Sequence, residues 1–109
     1  MNKVALIKQY FENFSNKRID LLEQMFSQDV ELTDWEISAK GISQVVAANQ
    51  KIFDSVETIT VDVGVLAETD ETVFAQISVI VNSSVTIKVI DVITFDQEGK
   101  ISKVSAYKQ

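Results

Sequence analysis

The sequence predicts an α+β fold, with three helices lying on one face of a curled, mostly antiparallel sheet. Three observations predict it. Apolar residues recur at helical spacing only in the first half of the 109-residue chain. The second half alternates with period two in four long runs. Those runs are joined by short polar turns instead of crossover helices. Helices segregated from an antiparallel meander pack onto one of its faces.

The elements follow in order. Val4, Ile7, Phe11 and Phe14 share one helical face, flanked by Leu6 and Tyr10, which predicts a helix from about residue 2 to 14. Ser15-Asn16 breaks it and caps a short second helix, whose buried side is Leu21, Leu22, Met25 and Phe26. Ser27-Gln28-Asp29 ends that helix. Val30 to Trp35 alternates strictly and reads as a short strand, with Val30, Leu32 and Asp34 on one face. Glu36 to Lys40 reads as a loop. Gly41 opens a third helix with the inner stripe Ile42, Val45, Val46, Asn49, Ile52 and Phe53.

Four long strands complete the chain. Thr58 to Ala67 turns Ile59, Val61, Val63 and Val65 to one face, and Thr72 to Asn82 does the same with Val73, Ala75, Ile77, Val79 and Val81. Asn82-Ser83-Ser84 is a hairpin turn. The next strand, Val85 to Phe95, aligns Val85, Ile87, Val89, Asp91, Ile93 and Phe95. A final strand runs from Ile101 to about Tyr107. Without a repeat, a linker or a low-complexity tract, residues 1–109 are expected to form a single domain.

Composition removes several classes of function. A net charge of −6 without a basic run disfavours nucleic acid and anionic membranes. No apolar stretch reaches bilayer length, and the N-terminus has no signal-peptide core, so a soluble cytoplasmic protein is expected. The chain has no cysteine and no histidine. Thiolate chemistry, cysteine-type zinc sites and imidazole bases are therefore excluded, and any acid–base work falls to Asp, Glu, Tyr or Lys. No loop carries enough carboxylates for a Mg²⁺ or Ca²⁺ site, and three glycines do not make a phosphate loop. No metal and no cofactor is expected.

Two features of the strands call for a cause. Asp91 puts a carboxylate in an apolar row, which is costly unless it is paired, protonated or used. Either it faces a pocket, or a local partner such as Lys88, Lys103 or a backbone N–H satisfies it. Leu66, Phe74, Ile80, Ile90 and Val92 have the opposite parity to the inward rows, and an apolar patch there marks an oligomer contact. A homodimer through Phe74, Ile80, Ile90 and Val92 is expected, with Gln76 and Asn82 as polar groups on the same face.

Several segments carry a resemblance to a known family. They are Ile7-Lys8-Gln9-Tyr10-Phe11, Met25-Phe26-Ser27-Gln28-Asp29-Val30, Gly41-Ile42, and the run from Ile90-Asp91 through Phe95 to Gly99-Lys100-Ile101. With the order of elements, they resemble the nuclear transport factor 2-like superfamily, in its SnoaL-like and ketosteroid-isomerase-like branch. The resemblance implies a cone: a bent sheet, with one short and four long strands, wrapped around the helices as in the cystatin-like roll. It also implies an apolar pocket inside that cone. Ketosteroid isomerase uses an aspartate base with a tyrosine and a protonated aspartate as oxyanion donors. Those roles fall on Asp34, Tyr10 and Asp91 respectively. Trp35, where ketosteroid isomerase has proline, joins Asn49 and Phe53 as expected pocket residues, and the loop from Asp34 to Gly41 is shorter than in that enzyme.

The implied activity is cofactor-free proton transfer α to a carbonyl, of isomerase, cyclase or dehydratase type, on a small apolar metabolite. Two other functions fit the same residues. One is a binding module whose carboxylates only orient a hydrophobic ligand, and the other is a dimerisation or accessory domain that works through its sheet face.

Overall fold

The computed structural model describes all of residues 1–109. Helix α1 spans Lys3–Ser15, and the Asn2 side chain caps it by accepting from the Ala5 N–H at 3.0 Å. Its inner face buries Ile7, Tyr10 and Phe11. Helix α2 is Ile19–Met25 and helix α3 is Ile42–Asp54, which buries Val45, Asn49 and Phe53. No helix is long and apolar enough to cross a membrane.

The strands are β1 (Phe26–Thr33), β2 (Ser38–Lys40), β3 (Ile59–Glu68), β4 (Thr72–Val81), β5 (Val85–Phe95) and β6 (Ile101–Lys108). They form one sheet in the order β2-β1-β6-β5-β4-β3. All neighbours are antiparallel except β1 and β6, which run parallel. This is the expected α+β architecture, with the helices on the concave face.

It differs from the expectation in four places. Phe26 is not on the buried side of α2 but begins β1, where it pairs with Ile101. The polar Ser27-Gln28-Asp29 stretch hides this strand, because its pairing with β6 is interrupted until Glu31 meets Lys103. The segment read as a loop contains β2, with Ala39 buried opposite Leu32. Three residues give too short a pattern to register as a strand. In β3 the register slips between Val63 and Leu66. That bulge turns Leu66 inward, opposite Ala75, and leaves Val65 67% exposed, which reverses the expected parity of both.

Gly64 lies in that bulge for a steric reason. A Cβ there would stand 3.0 Å from the Gln76 carbonyl oxygen, on a backbone that cannot yield cheaply. Asn82, expected on the sheet face, instead ties the hairpin to the start of β3. Its Oδ1 accepts from the N–H groups of Glu57 and Thr58 at 2.8 and 3.1 Å.

The bulge is a built part of the sheet, so filling it is expected to strain the β3–β4 pairing. Gly64→Ala should lower unfolding stability in urea by about 1–3 kcal/mol, the cost of overpacking. An unchanged midpoint would show that the close approach is not a constraint.

Candidate functional site

The helices do not fill the concave face. Between α1, α3 and strands β3–β6 lies a cavity of about 410 Å³, lined by 23 residues of which 17 are hydrophobic. That size suits a small organic ligand. Its few polar groups are therefore conspicuous. Tyr10, Asp34, Asn49 and Asp91 all line it, so the three residues proposed for catalysis from sequence share one chamber.

Asp91 comes from the middle of β5 and is 7% exposed. Its cross-strand neighbours are Ala75 on β4 and Ala106 on β6. Ala106, a small side chain, borders the cavity beside the carboxyl, where a larger one would fill that space. No protein group hydrogen-bonds to it, and the molecule's one ion pair, Arg18–Asp20, lies elsewhere. Lys88 and Lys103 do not neutralise it. They sit on the opposite parity, across from Ser78 and Thr94. Burial first, and then the charge of Asp34, push its pKa up to about 7.

Tyr10 reaches the same chamber from α1. It is 4% exposed and packs edge-on against Phe26 at a ring-centroid distance of 6.2 Å. Its hydroxyl has no protein partner. Burial, with the nearby Asp91 charge as the smaller cause, raises its pKa above the ordinary tyrosine value and keeps it protonated.

Asn49 enters from α3. Its Nδ2 donates to the Val45 carbonyl one turn back at 3.0 Å. A carbonyl can only accept, so this bond orients the amide, with one Nδ2 hydrogen on Val45 and Oδ1 left without a protein partner.

Asp34 follows the end of β1 and is half-buried. Its Oδ1 accepts from the N–H groups of Glu36 and Ile37 at 2.7 and 2.6 Å, and its own N–H donates to the Ile37 carbonyl at 2.9 Å. Aspartate favours such turns because its side chain takes over backbone donors. The second carboxylate oxygen takes no part in the turn.

Trp35 stands at the mouth, 45% exposed, with the Lys108 ammonium 5.8 Å from its ring centroid. Phe53, expected on the wall, is not among the lining residues; it packs behind Phe14 at 5.0 Å. Phe53 shares the inward face of α3 with Asn49, four residues on, but it is Phe14, packed against it, that lines the cavity. The sequence reading missed Lys108. Its parity with Val104 and Ala106 carried the signal, but the last strand was expected to end at Tyr107.

Sequence comparison gives this geometry a lineage. The model of the SnoaL-like domain matches residues 7–104. The chain belongs to the SnoaL-like family. The sequence matches no curated protein. Solved structures share the nuclear transport factor 2-like fold of this SnoaL-like chain. A nuclear transport factor 2-like protein of unknown function from Cytophaga hutchinsonii superposes with a TM-score of 0.84 at 11% identity, covering 100% of this chain and 91% of that one. A protein provisionally named a SnoaL-like polyketide cyclase, from Shewanella denitrificans, gives 0.87 at 11% identity, over 98% and 90%. The epoxide hydrolase/cyclase-like enzyme SalBIII, of pyran ring formation in polyether salinomycin, gives 0.80 at 19% identity, over 98% and 90%. At these identities the likeness establishes the fold alone.

The environment of Asp91 has a consequence for stability. Its pKa rises from an ordinary 3.8 to about 7 on folding. Between those values the folded protein keeps a proton that the unfolded chain has lost, so this residue's contribution to stability falls as pH rises from about 4 to 7 and is level above that. Asp91→Asn removes the titration. Its stability relative to wild type in urea should grow by roughly 4 kcal/mol from pH 4 to pH 8, because each tenfold change in proton affinity is worth about 1.36 kcal/mol. A difference that stays flat with pH would mean that Asp91 ionises normally.

Proposed function

We propose that the chamber is a cofactor-free acid–base site that moves a proton α to the carbonyl of a small apolar metabolite, in an isomerase, cyclase or dehydratase type of reaction. The observation that carries this reading is that three ionisable side chains, two of them with raised proton affinity, share one apolar chamber. Asp34 meets solvent at the mouth, Asp91 is pushed up to about 7, and Tyr10 is held protonated. Groups held protonated in an apolar site suit the donor role, and the carboxylate at the mouth is left for the base.

In the proposed reaction the free carboxylate oxygen of Asp34 takes the α-proton. The backbone donors on Oδ1 hold its carboxylate plane in place. Electron density moves onto the carbonyl oxygen, where Tyr10 and neutral Asp91 donate hydrogen bonds to the developing enolate. The proton then returns to a different carbon, or the enolate carbon attacks a second carbonyl of the same molecule and closes a ring, that carbonyl's oxygen taking the proton from Asp34. Names among the structurally similar proteins, a polyketide cyclase and a hydrolase/cyclase-like enzyme, agree with chemistry of this kind.

One observation favours a binding module instead: Asp34 already has a structural task in its turn. A single substitution separates the two. Asparagine keeps the Oδ1 acceptor, and with it the turn, but cannot take a proton. Small cyclic β,γ-unsaturated ketones in D₂O, followed by NMR, should exchange α-protons and isomerise with the wild type. Asp34→Asn should retain the fold while losing roughly 10²–10⁴-fold in rate, the usual contribution of a general base. Full activity of Asp34→Asn removes Asp34 as the base. Binding without exchange in the wild type favours the binding module.

The outer sheet face supports a second, separate proposal, a homodimer. Phe74 is 41% exposed and pairs with Val92, while Ile90 lies between Gln76 and Tyr107. Light scattering at micromolar concentration should give twice the 12.2 kDa chain mass, and Ile90→Lys should halve it. A monomeric wild type would contradict the proposal.

A further inference from the structure

The proposed reaction uses Asp34, Tyr10 and Asp91 and leaves Asn49 without a task. This residue is 3% exposed on α3, on a helix whose neighbouring inward positions, Val45 and Phe53, are apolar. A buried amide costs free energy unless both its ends are satisfied. One Nδ2 hydrogen is satisfied, by the Val45 carbonyl. The Oδ1 end has no protein donor, yet it is not sealed off, since every fully enclosed side-chain oxygen in the molecule has a partner. It therefore opens into the chamber as an acceptor with nothing from the protein to accept.

Its place in the chamber matters. Asn49 comes from the helix wall, whereas Asp91 comes from the sheet wall and Tyr10 from a different helix. Once protonated, Asp91 and Tyr10 offer donors, which suit a carbonyl or enolate oxygen. Asn49 Oδ1 offers only lone pairs, which repel that same oxygen and suit an O–H or N–H hydrogen. Asn49 also stays neutral at every pH, so it can recognise a donor without bringing a second charge into an apolar space.

We infer that Asn49 is a specificity-determining residue, and that the natural ligand is a hydroxy-ketone whose hydroxyl donates to Asn49 Oδ1 while its carbonyl faces Tyr10 and Asp91. The inference rests on the proposed carbonyl chemistry and names its substrate class more closely. A hydroxyl fits better than an ammonium group, because a cation in the same chamber would be drawn to the carboxylate of Asp34. A ligand without the donor would strip water from Oδ1 and leave it unpaired, which is how a polar pocket group rejects a deoxy analogue.

The test uses the Asp34→Asn protein, so that binding is measured apart from turnover. Cyclohexanone, the hydroxycyclohexanones with the hydroxyl at each ring position, and 4-aminocyclohexanone are titrated by NMR. At least one hydroxylated ketone should bind about tenfold more tightly than cyclohexanone, the worth of one well-made hydrogen bond. In the Asp34→Asn protein carrying Asn49→Leu that preference should fall to near onefold, while cyclohexanone itself binds as well or better. Asn49→Ser, which restores an acceptor, should recover part of the preference, and this separates recognition from mere packing. Equal binding of cyclohexanone and every hydroxylated ketone overturns the inference while leaving the carbonyl site standing. So does a preference that survives Asn49→Leu, or tightest binding by the amino compound. Failure of every ketone to bind overturns the carbonyl site, and the inference with it.

Discussion

A carboxyl group held inside an apolar wall with no counterion and no donor is the constraint around which the rest of this molecule is arranged. Asp91 sits in β5 between Val89, 2% exposed, and Ile93, fully buried, and it forms no ion pair with any lysine of the sheet. Such a group lowers its cost by keeping its proton, which is the physical origin of a pKa of about 7. It also needs open space in front of it. Ala106 leaves that space on the β6 side, and the chamber extends it. The sheet therefore divides along β5. The end carrying Ile93 and Phe95 is packed solid, with Ile101, Val30 and Leu22 fully buried around it. The end carrying Ile87, Val89 and Asp91 faces the cavity.

Keeping a cavity open costs packing, so the protein must resist collapse. Register shifts in β1–β6, β3–β4 and β5–β6 accompany the curvature whose concave face holds α1 and α3. Aromatic contacts hold the helices there. Phe14 bears on Phe53, and Tyr10 is wedged between Phe11 and Phe26. Tyr10 thus has two functions. Its ring is part of the scaffold, and its hydroxyl is left at the cavity surface. Asp34 is double in the same way, with one oxygen in the turn and one outside it. The polar groups of this site are positioned by side chains that also build the fold, which gives a small domain a rigid site without extra elements.

Much of this was legible in the sequence, and the limits have physical causes. Strict alternation in β5 put Asp91 on the inner face, and helical spacing put Tyr10 and Asn49 at theirs. Local periodicity reports which way a side chain points, and it did so correctly wherever the element was regular. It failed where regularity broke. The bulge at Gly64 reversed Val65 and Leu66, and the interrupted pairing after Phe26 hid the first part of β1. Convergence was not readable at all. Tyr10, Asp34 and Asp91 are remote along the chain, and only the family resemblance suggested that they belong together. Asn49 was visible as a polar residue on an inward stripe, but its free acceptor depends on which end of the amide the Val45 carbonyl binds. That is a fact of three dimensions.

The central claim is that folding keeps Asp91 neutral where an ordinary aspartate has long since ionised. A ¹³C-NMR titration of the aspartate side-chain carboxyls, with the Asp91 signal assigned by its loss in Asp91→Asn, measures this directly. A midpoint at about pH 7, well apart from the other aspartates, is the expected result. A midpoint at about pH 4, the ordinary aspartate value, would contradict it.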